Sequence, residues 1–167
     1  MRTLLVLFLL AVGLSFAHAQ SVRIDRVDVM RPGIFVAESK TKAITDKNIS
    51  TGQRTETKSL RNIEVTTLIP ARNDTFFGLE GVLVGSPKGE RVPVRVVWRY
   101  PEPGLTNPQT GVTKYVDDYT DYRIIGDTFT YYWFLGNDWT LVPGVWTFEL
   151  WYGDRRLVSQ RFTLVRP

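Results

Sequence analysis

From Val92 to Tyr100 the chain alternates, with Val92, Val94, Val96, Trp98 and Tyr100 on one side and Pro93, Arg95, Val97 and Arg99 on the other. Successive side chains of an extended chain point to opposite faces, so this pattern predicts a half-buried strand with Trp98 in the core. Ile63, Val65, Thr67 and Ile69 alternate with Glu64, Thr66 and Leu68 in the same way. Phe129, Tyr131, Trp133 and Leu135 interleave with Thr130, Tyr132 and Phe134, an apolar or aromatic pattern on both faces. Trp146, Phe148, Leu150 and Tyr152 lead into Gly153-Asp154, and a last strand from Arg156 to Val165 carries Phe162 and Leu164. Gly-Asp between two such runs is the signature of a tight hairpin. Trp146 joins Trp98 as a core residue, and Glu149, opposite the core positions of its strand, is expected to be exposed.

Breakers divide these runs. Gly85-Ser86-Pro87-Lys88-Gly89 predicts a second hairpin joining Leu79–Val84 to Val92–Tyr100. Pro101 to Pro108 is too proline-rich for a helix or a central strand. Leu141-Val142-Pro143-Gly144 turns the chain into the final hairpin, and early strands are expected at Val22–Met30 and Gly33–Ala37. Ser39 to Ser59 is polar and rich in Lys and Thr, which predicts a mobile surface loop or a loosely paired hairpin arm. A helix over Thr55–Leu68 is disfavoured by its Thr and Val content. The sum is an all-β antiparallel sandwich of about seven to nine strands in two sheets.

The first residues follow a different rule. Arg2 precedes an apolar run from Leu4 to Leu14, and Ala17 and Ala19 provide small side chains before Gln20. This is the plan of a cleavable secretory signal spanning residues 1–19, with the cut expected between Ala19 and Gln20. The run is well short of the ~20 apolar residues needed to cross a bilayer, and the chain has no cysteine to carry a lipid anchor. A single domain over residues 20–167, periplasmic or secreted, is the expected product.

Removing the signal changes the chemistry. The only histidine, His18, leaves with it, and the formal net charge falls from +4 to +3 with the loss of Arg2. Without His or Cys the domain has no thiolate or imidazole zinc ligand, no Ser-His-Asp or Cys-His nucleophile system and no such haem ligand. No cofactor is expected. The modest positive charge is dispersed, which disfavours nucleic acid as a partner. Arg95 and Arg99 share a strand face, and Arg155, Arg156, Arg161 and Arg166 gather near the end, as solubilising and edge-blocking charges do.

Several motifs point to a family. They are Gly33-Ile34-Phe35, Phe77-Gly78, Gly85-Ser86-Pro87-Lys88-Gly89, and Pro103-Gly104-Leu105-Thr106-Asn107-Pro108 with Gly111. To these are added Trp139-Thr140-Leu141-Val142-Pro143-Gly144-Val145-Trp146-Thr147-Phe148-Glu149, Tyr152-Gly153-Asp154 and Gln160-Arg161-Phe162. Together they resemble the exported bacterial family catalogued as domain of unknown function 3859, over roughly Gly33 to Val165. The resemblance implies an immunoglobulin-like β-sandwich in a bacterial envelope and carries no catalytic residues with it.

Candidate chemistry is then limited. Tyr132, Phe134, Trp139 and Trp151 form a candidate aromatic binding patch, since exposed rings stack on sugars or grip a partner. The alternative is burial beneath a covering loop. Asp117, Asp118, Asp121 and Asp127, with Asn137-Asp138, supply oxygen ligands of the calcium type, but their spacing does not match an ordered calcium loop, and a solvated loop is expected. Ser86 and Lys88 read as turn residues rather than a catalytic dyad. A carboxylate-only hydrolase would need a second carboxylate brought to Glu149 or its like, which the sequence does not provide. The expected function is non-enzymatic binding of an envelope protein or component. A carbohydrate-binding module is the alternative and an acid-only hydrolase the third reading.

Overall fold

The computed structural model describes residues 21–167. The expected secretory signal over residues 1–19 and its expected cut between Ala19 and Gln20 lie outside the described residues. Thirteen strands follow in chain order among them. They are β1 (Arg23–Ala37), β2 (Thr41–Thr45), β3 (Gln53–Thr57), β4 (Leu60–Val65), β5 (Leu68–Pro70), β6 (Thr75–Ser86) and β7 (Arg91–Arg99). Then come β8 (Leu105–Thr106), β9 (Thr113–Lys114), β10 (Val116–Ile124), β11 (Thr128–Leu135), a 3-10 turn at Asp138–Thr140, β12 (Gly144–Tyr152) and β13 (Arg155–Val165). The first sheet runs β11-β6-β1-β4 and the second β10-β7-β12-β13-β5, giving the expected two-layer sandwich with nine strands in its two main sheets. All main pairings are antiparallel except β13 with β5, which is parallel.

The alternating positions meet between the layers. Phe77 of the first sheet sets its ring edge against Trp98, Trp146 and Phe162 of the second, with centroids 5.8, 5.7 and 5.4 Å away. These rings are at most 2% exposed, as the pattern around Trp98 and Trp146 predicts. Offset and edge-on aromatic contacts of this kind add specificity beyond area burial. Gly78 lets β11 approach β6 closely: a Cβ there would lie 2.0 Å from the Tyr131 carbonyl oxygen.

Several expectations are corrected. Val22–Met30 and Gly33–Ala37 are one strand, because Arg31 and Pro32 stay in register with Glu80 and Leu79 across a shift after Val29. Gly85–Gly89 does not close a hairpin. β6 is already flanked by β1 and β11, so the turn carries the chain across to the second sheet. The Ile63–Ile69 run is broken at Thr66-Thr67: β4 stays in the first sheet and β5 joins the second. Only Ile69 reaches the core, while Ile63 and Val65 are 51% and 64% exposed: a register shift skips Ile63, and Val65 pairs with Gly33 on the face away from the core-facing Ile34 and Phe77. Of the two readings open for Ser39–Ser59, the hairpin arm is the one found, with Thr41 opposite Thr57 and Thr45 opposite Gln53.

Glu149 contradicts its expected exposure. It is 5% exposed on the outer face of the second sheet. Arg99 and Arg156 fold over it at 3.5 and 3.4 Å, and the Trp151 indole N–H donates to its Oε2 at 3.0 Å. Alternation correctly places it away from the core, but long neighbours cover it. Glu149→Ala leaves these three donors without their acceptor and is expected to lower stability by about 1–3 kcal/mol. Glu149→Gln, which keeps a carbonyl acceptor, is expected to lose less; urea denaturation of the two variants checks the order.

Candidate functional site

The edges β10 and β11 lie on the same side of the sandwich, joined through Ile125-Gly126-Asp127, and the β2–β3 arm roofs the gap beside them. The Asp117–Asp127 segment, expected as a solvated loop, is therefore mostly strand. Pairing with β7 turns Asp117, Tyr119, Asp121 and Arg123 inward. Asp117 is 1% exposed and holds the arm tip. Ser50 donates its backbone N–H to Oδ2 at 2.9 Å, and its Oγ lies 2.8 and 2.9 Å from the two carboxylate oxygens. The Tyr100 hydroxyl lies 3.1 Å from the same Oγ. Burial pushes the Asp117 carboxyl above its usual range, against the hydrogen bonds from Tyr100 and Ser50. Further along the arm, the Tyr132 hydroxyl donates to the Thr55 carbonyl at 2.8 Å.

Between arm and sandwich lies a cleft of about 740 Å³. Its inner wall is Trp98, Tyr119, Tyr131 and Trp133; Tyr132, Phe134 and Trp139 line the mouth, and Gln109 and Asn137 add amides. Three of the four candidate aromatics thus come together here, each half-buried. Trp151 does not. It lies on the outer face of the second sheet, its ring flanked by the guanidiniums of Arg95 and Arg156 at 6.0 and 5.7 Å.

The cleft's charges are already partnered. Arg123 lies 2.7 Å from Asp121 and 4.4 Å from the Tyr131 ring centroid, and the Tyr131 hydroxyl donates to Asp121 at 3.0 Å. Arg54 pairs with Glu56 at 2.7 Å, and Asp46 accepts the Asn48 N–H at 3.0 Å. Burial raises the hydroxyls of Tyr119 and Tyr131 far above the ordinary phenol range, so both act as neutral groups. Two buried donors of the cleft lining lack a protein acceptor among the described residues, the indole N–H of Trp133 and the Nε–H of Arg123, whose other nitrogens engage Asp121 and the Tyr122 carbonyl. No group of three potential metal-ligating side chains converges among the described residues.

A family model described as domain of unknown function (DUF3859) matches residues 24–164. The chain belongs to this family. The match takes in both sheets and the arm, so the site is built from residues within the family's bounds. Among solved structures, the chain is similar to an immunoglobulin-like protein (PA1606) from Pseudomonas aeruginosa. The two share 23% identity with a TM-score of 0.56, over 87% of this chain and 98% of the other. That likeness supports the immunoglobulin-like fold. No functionally curated protein matches the chain.

Sequence reasoning missed Trp133, Tyr119, Arg123 and the arm as parts of one site. The missed signal is the density of Tyr115, Val116, Tyr119, Tyr122, Ile124 and Ile125 among the acids, which is too apolar for a solvated loop.

Proposed function

We propose that the protein is an exported, non-catalytic binding module whose partner, an envelope protein or other envelope component, enters the cleft beneath the β2–β3 arm. The cleft itself carries this reading. It brings Tyr132, Phe134 and Trp139 together with the tryptophans of the inner wall, in a volume within the usual range of ligand sites. The charged side chains in it are occupied by one another or by backbone, which favours recognition by shape and neutral contacts. The secretory pattern of the first residues supports an envelope location.

Thermal unfolding measured against size-fractionated bacterial envelope extract tests the reading. At a partner concentration of about 100 times Kd, stabilisation of about 2.7 kcal/mol is expected, a rise of roughly 5–10 °C for a domain of this size. Ala43→Trp, on the exposed arm but lining the cleft, is expected to abolish the rise. If no fraction raises the wild-type midpoint, or the variant responds equally, the cleft is not the binding site.

A glycan ligand is the second reading. It is favoured by Trp139 beside the amides of Gln109 and Asn137, neither of which makes a side-chain hydrogen bond among the described residues. The carboxylate-hydrolase reading loses ground, since Asp46, Glu56 and Asp121 are each committed to a partner and Asp117 is taken up by Ser50 and Tyr100.

A further inference from the structure

Consecutive residues of a strand point to opposite faces, so a cavity that meets only alternate residues borders a face and one that meets consecutive residues borders an edge. β10 presents Tyr119, Asp121 and Arg123 to the cleft, which is a face. β11 presents all five residues from Thr130 to Phe134, and β3 all four from Gln53 to Glu56. The cleft therefore runs along the edges of these two strands. Among the described residues, β11 ends the first sheet, pairing only with β6, and β3 pairs only with β2. Each leaves one row of backbone N–H and C=O groups unpaired by a neighbouring strand.

Sheet edges are usually blunted by charge, proline, a bulge or short length, because an open edge templates pairing with another chain. Of the four strands that edge the two main sheets, three follow this rule. β4 carries Arg61 and Glu64, β5 is three residues ending at Pro70, and β10 carries Asp117, Asp118, Asp121 and Arg123. β11 does not. Its eight residues, Thr-Phe-Thr-Tyr-Tyr-Trp-Phe-Leu, contain no charge, proline or glycine, and it pairs with β6 without a register shift. This unblunted edge lies under the arm, beside an aromatic cavity.

We infer that the cleft accepts an extended peptide segment that adds as a strand to the β11 edge, with alternate side chains entering the aromatic wall at Tyr119 and Trp133. This rests on the cleft being the binding site, and it names the partner's chemistry: an extended polypeptide of low charge with an apolar residue at every second position. Main-chain hydrogen bonds would supply affinity and the aromatic wall side-chain preference. Each charged side chain of the cleft already has a partner, Arg123 keeping only its Nε–H free, which lowers the premium on a charged ligand.

A displayed library of random octapeptides, selected on the wild-type domain and counter-selected on Ala43→Trp, tests the inference. Enrichment of sequences with apolar residues at alternate positions and no central proline is expected. Two synthetic forms of an enriched peptide then separate strand addition from simple apolar capture. Methylating the alternate amide nitrogens that face β11 is expected to weaken binding by about tenfold or more, while methylating the other set changes it much less. Absence of enrichment over the variant overturns the inference, as does equal tolerance of both methylated forms. A response of tryptophan emission to chitotetraose without peptide enrichment would make the cleft a glycan site and overturn it too. If an envelope fraction still raises the wild-type midpoint while no peptide is enriched, the strand-addition proposal fails alone; if neither occurs, both readings fail.

Discussion

Trp146→Ala is expected to remove about 3–5 kcal/mol of folding stability, the largest loss from any single substitution considered for this protein. The indole is fully buried, and its N–H donates to the Val142 carbonyl at 2.9 Å. Its ring lies 4.8 Å from Tyr100, 5.4 Å from Trp133 and 5.7 Å from Phe77, so truncation opens a void between the two sheets. Neighbouring rings of this size cannot collapse into such a void without leaving their own contacts, which is why the cavity penalty adds to the lost transfer energy. With no disulfide to constrain the unfolded chain, the domain has only its core to resist the change. Trp146→Phe retains most of the apolar volume and is expected to lose about half as much or less. Urea denaturation followed by far-ultraviolet circular dichroism measures both, since that signal does not rest on the tryptophan removed. Equal midpoints for Trp146→Ala and wild type would show that the interlayer aromatics do not hold the sheets together.

The core was legible in the sequence wherever a strand lies under the opposing sheet. β7, β11, β12 and β13 each show period-two alternation, and the residues so picked out, Trp98, Tyr131, Phe148 and Phe162 among them, are buried. Alternation reports which residues share a face, but it is silent on whether anything covers that face. Ile63 and Val65 alternate as well as Val94 and Val96 do, and stand exposed because a register shift skips Ile63 and pairs Val65 with Gly33 on the outer face of the first sheet. Glu149 is the converse. It sits on the solvent side by the same rule, and Arg99, Arg156 and Trp151 close over it. Hairpin signals have a similar limit: Gly153-Asp154 joins strands that pair, whereas Gly85–Gly89 joins strands in different layers with turn chemistry just as good.

The site was half legible. Aromatic crowding on both faces of Phe129–Leu135 singled out Tyr132 and Phe134, and Trp139 followed closely in the chain. Trp151 was wrongly grouped with them, because nearness in sequence and residue type do not say which sheet, or which face of it, a ring occupies. The roof was not legible at all. The pairing of β2 with β3 is local, but the bonds that place the arm over the cleft join residues as distant as Ser50 and Asp117, or Thr55 and Tyr132. A polar arm of this composition carries no apolar pattern to announce where it docks.

Asp117 is the group on which that docking turns, and its substitution gives the second large effect. Asp117→Ala leaves the Ser50 N–H, the Ser50 hydroxyl and the Tyr100 hydroxyl without a carboxylate, and a loss of about 2–4 kcal/mol is expected at neutral pH. Faster hydrogen exchange through the arm tip, residues 46–52, is expected to accompany it, since Ser50 no longer anchors the turn. The pH dependence has a definite sign. Burial raises the Asp117 carboxyl in the folded state, so between its unfolded value, about 3.9, and its raised folded value the native state holds the proton more tightly than the unfolded chain does. The stability contributed by this group therefore falls as pH rises through that window, and above it a constant cost of burying the charge remains. Asp118 and Glu38, lowered by Arg95 and Arg61, act oppositely and lose stability as pH falls. Asp117→Asn keeps a carbonyl acceptor for Ser50 and carries no charge. The stability of Asp117→Asn minus that of wild type is thus expected to increase as pH rises from about 3.9, then level off towards neutrality. Because Asp118 and Glu38 are common to both proteins, subtraction removes their opposing trend. Urea denaturation from pH 3 to 7 reads this difference, and one that shrinks or stays flat over the acid range would mean that the arm is not latched through a carboxyl strained by burial.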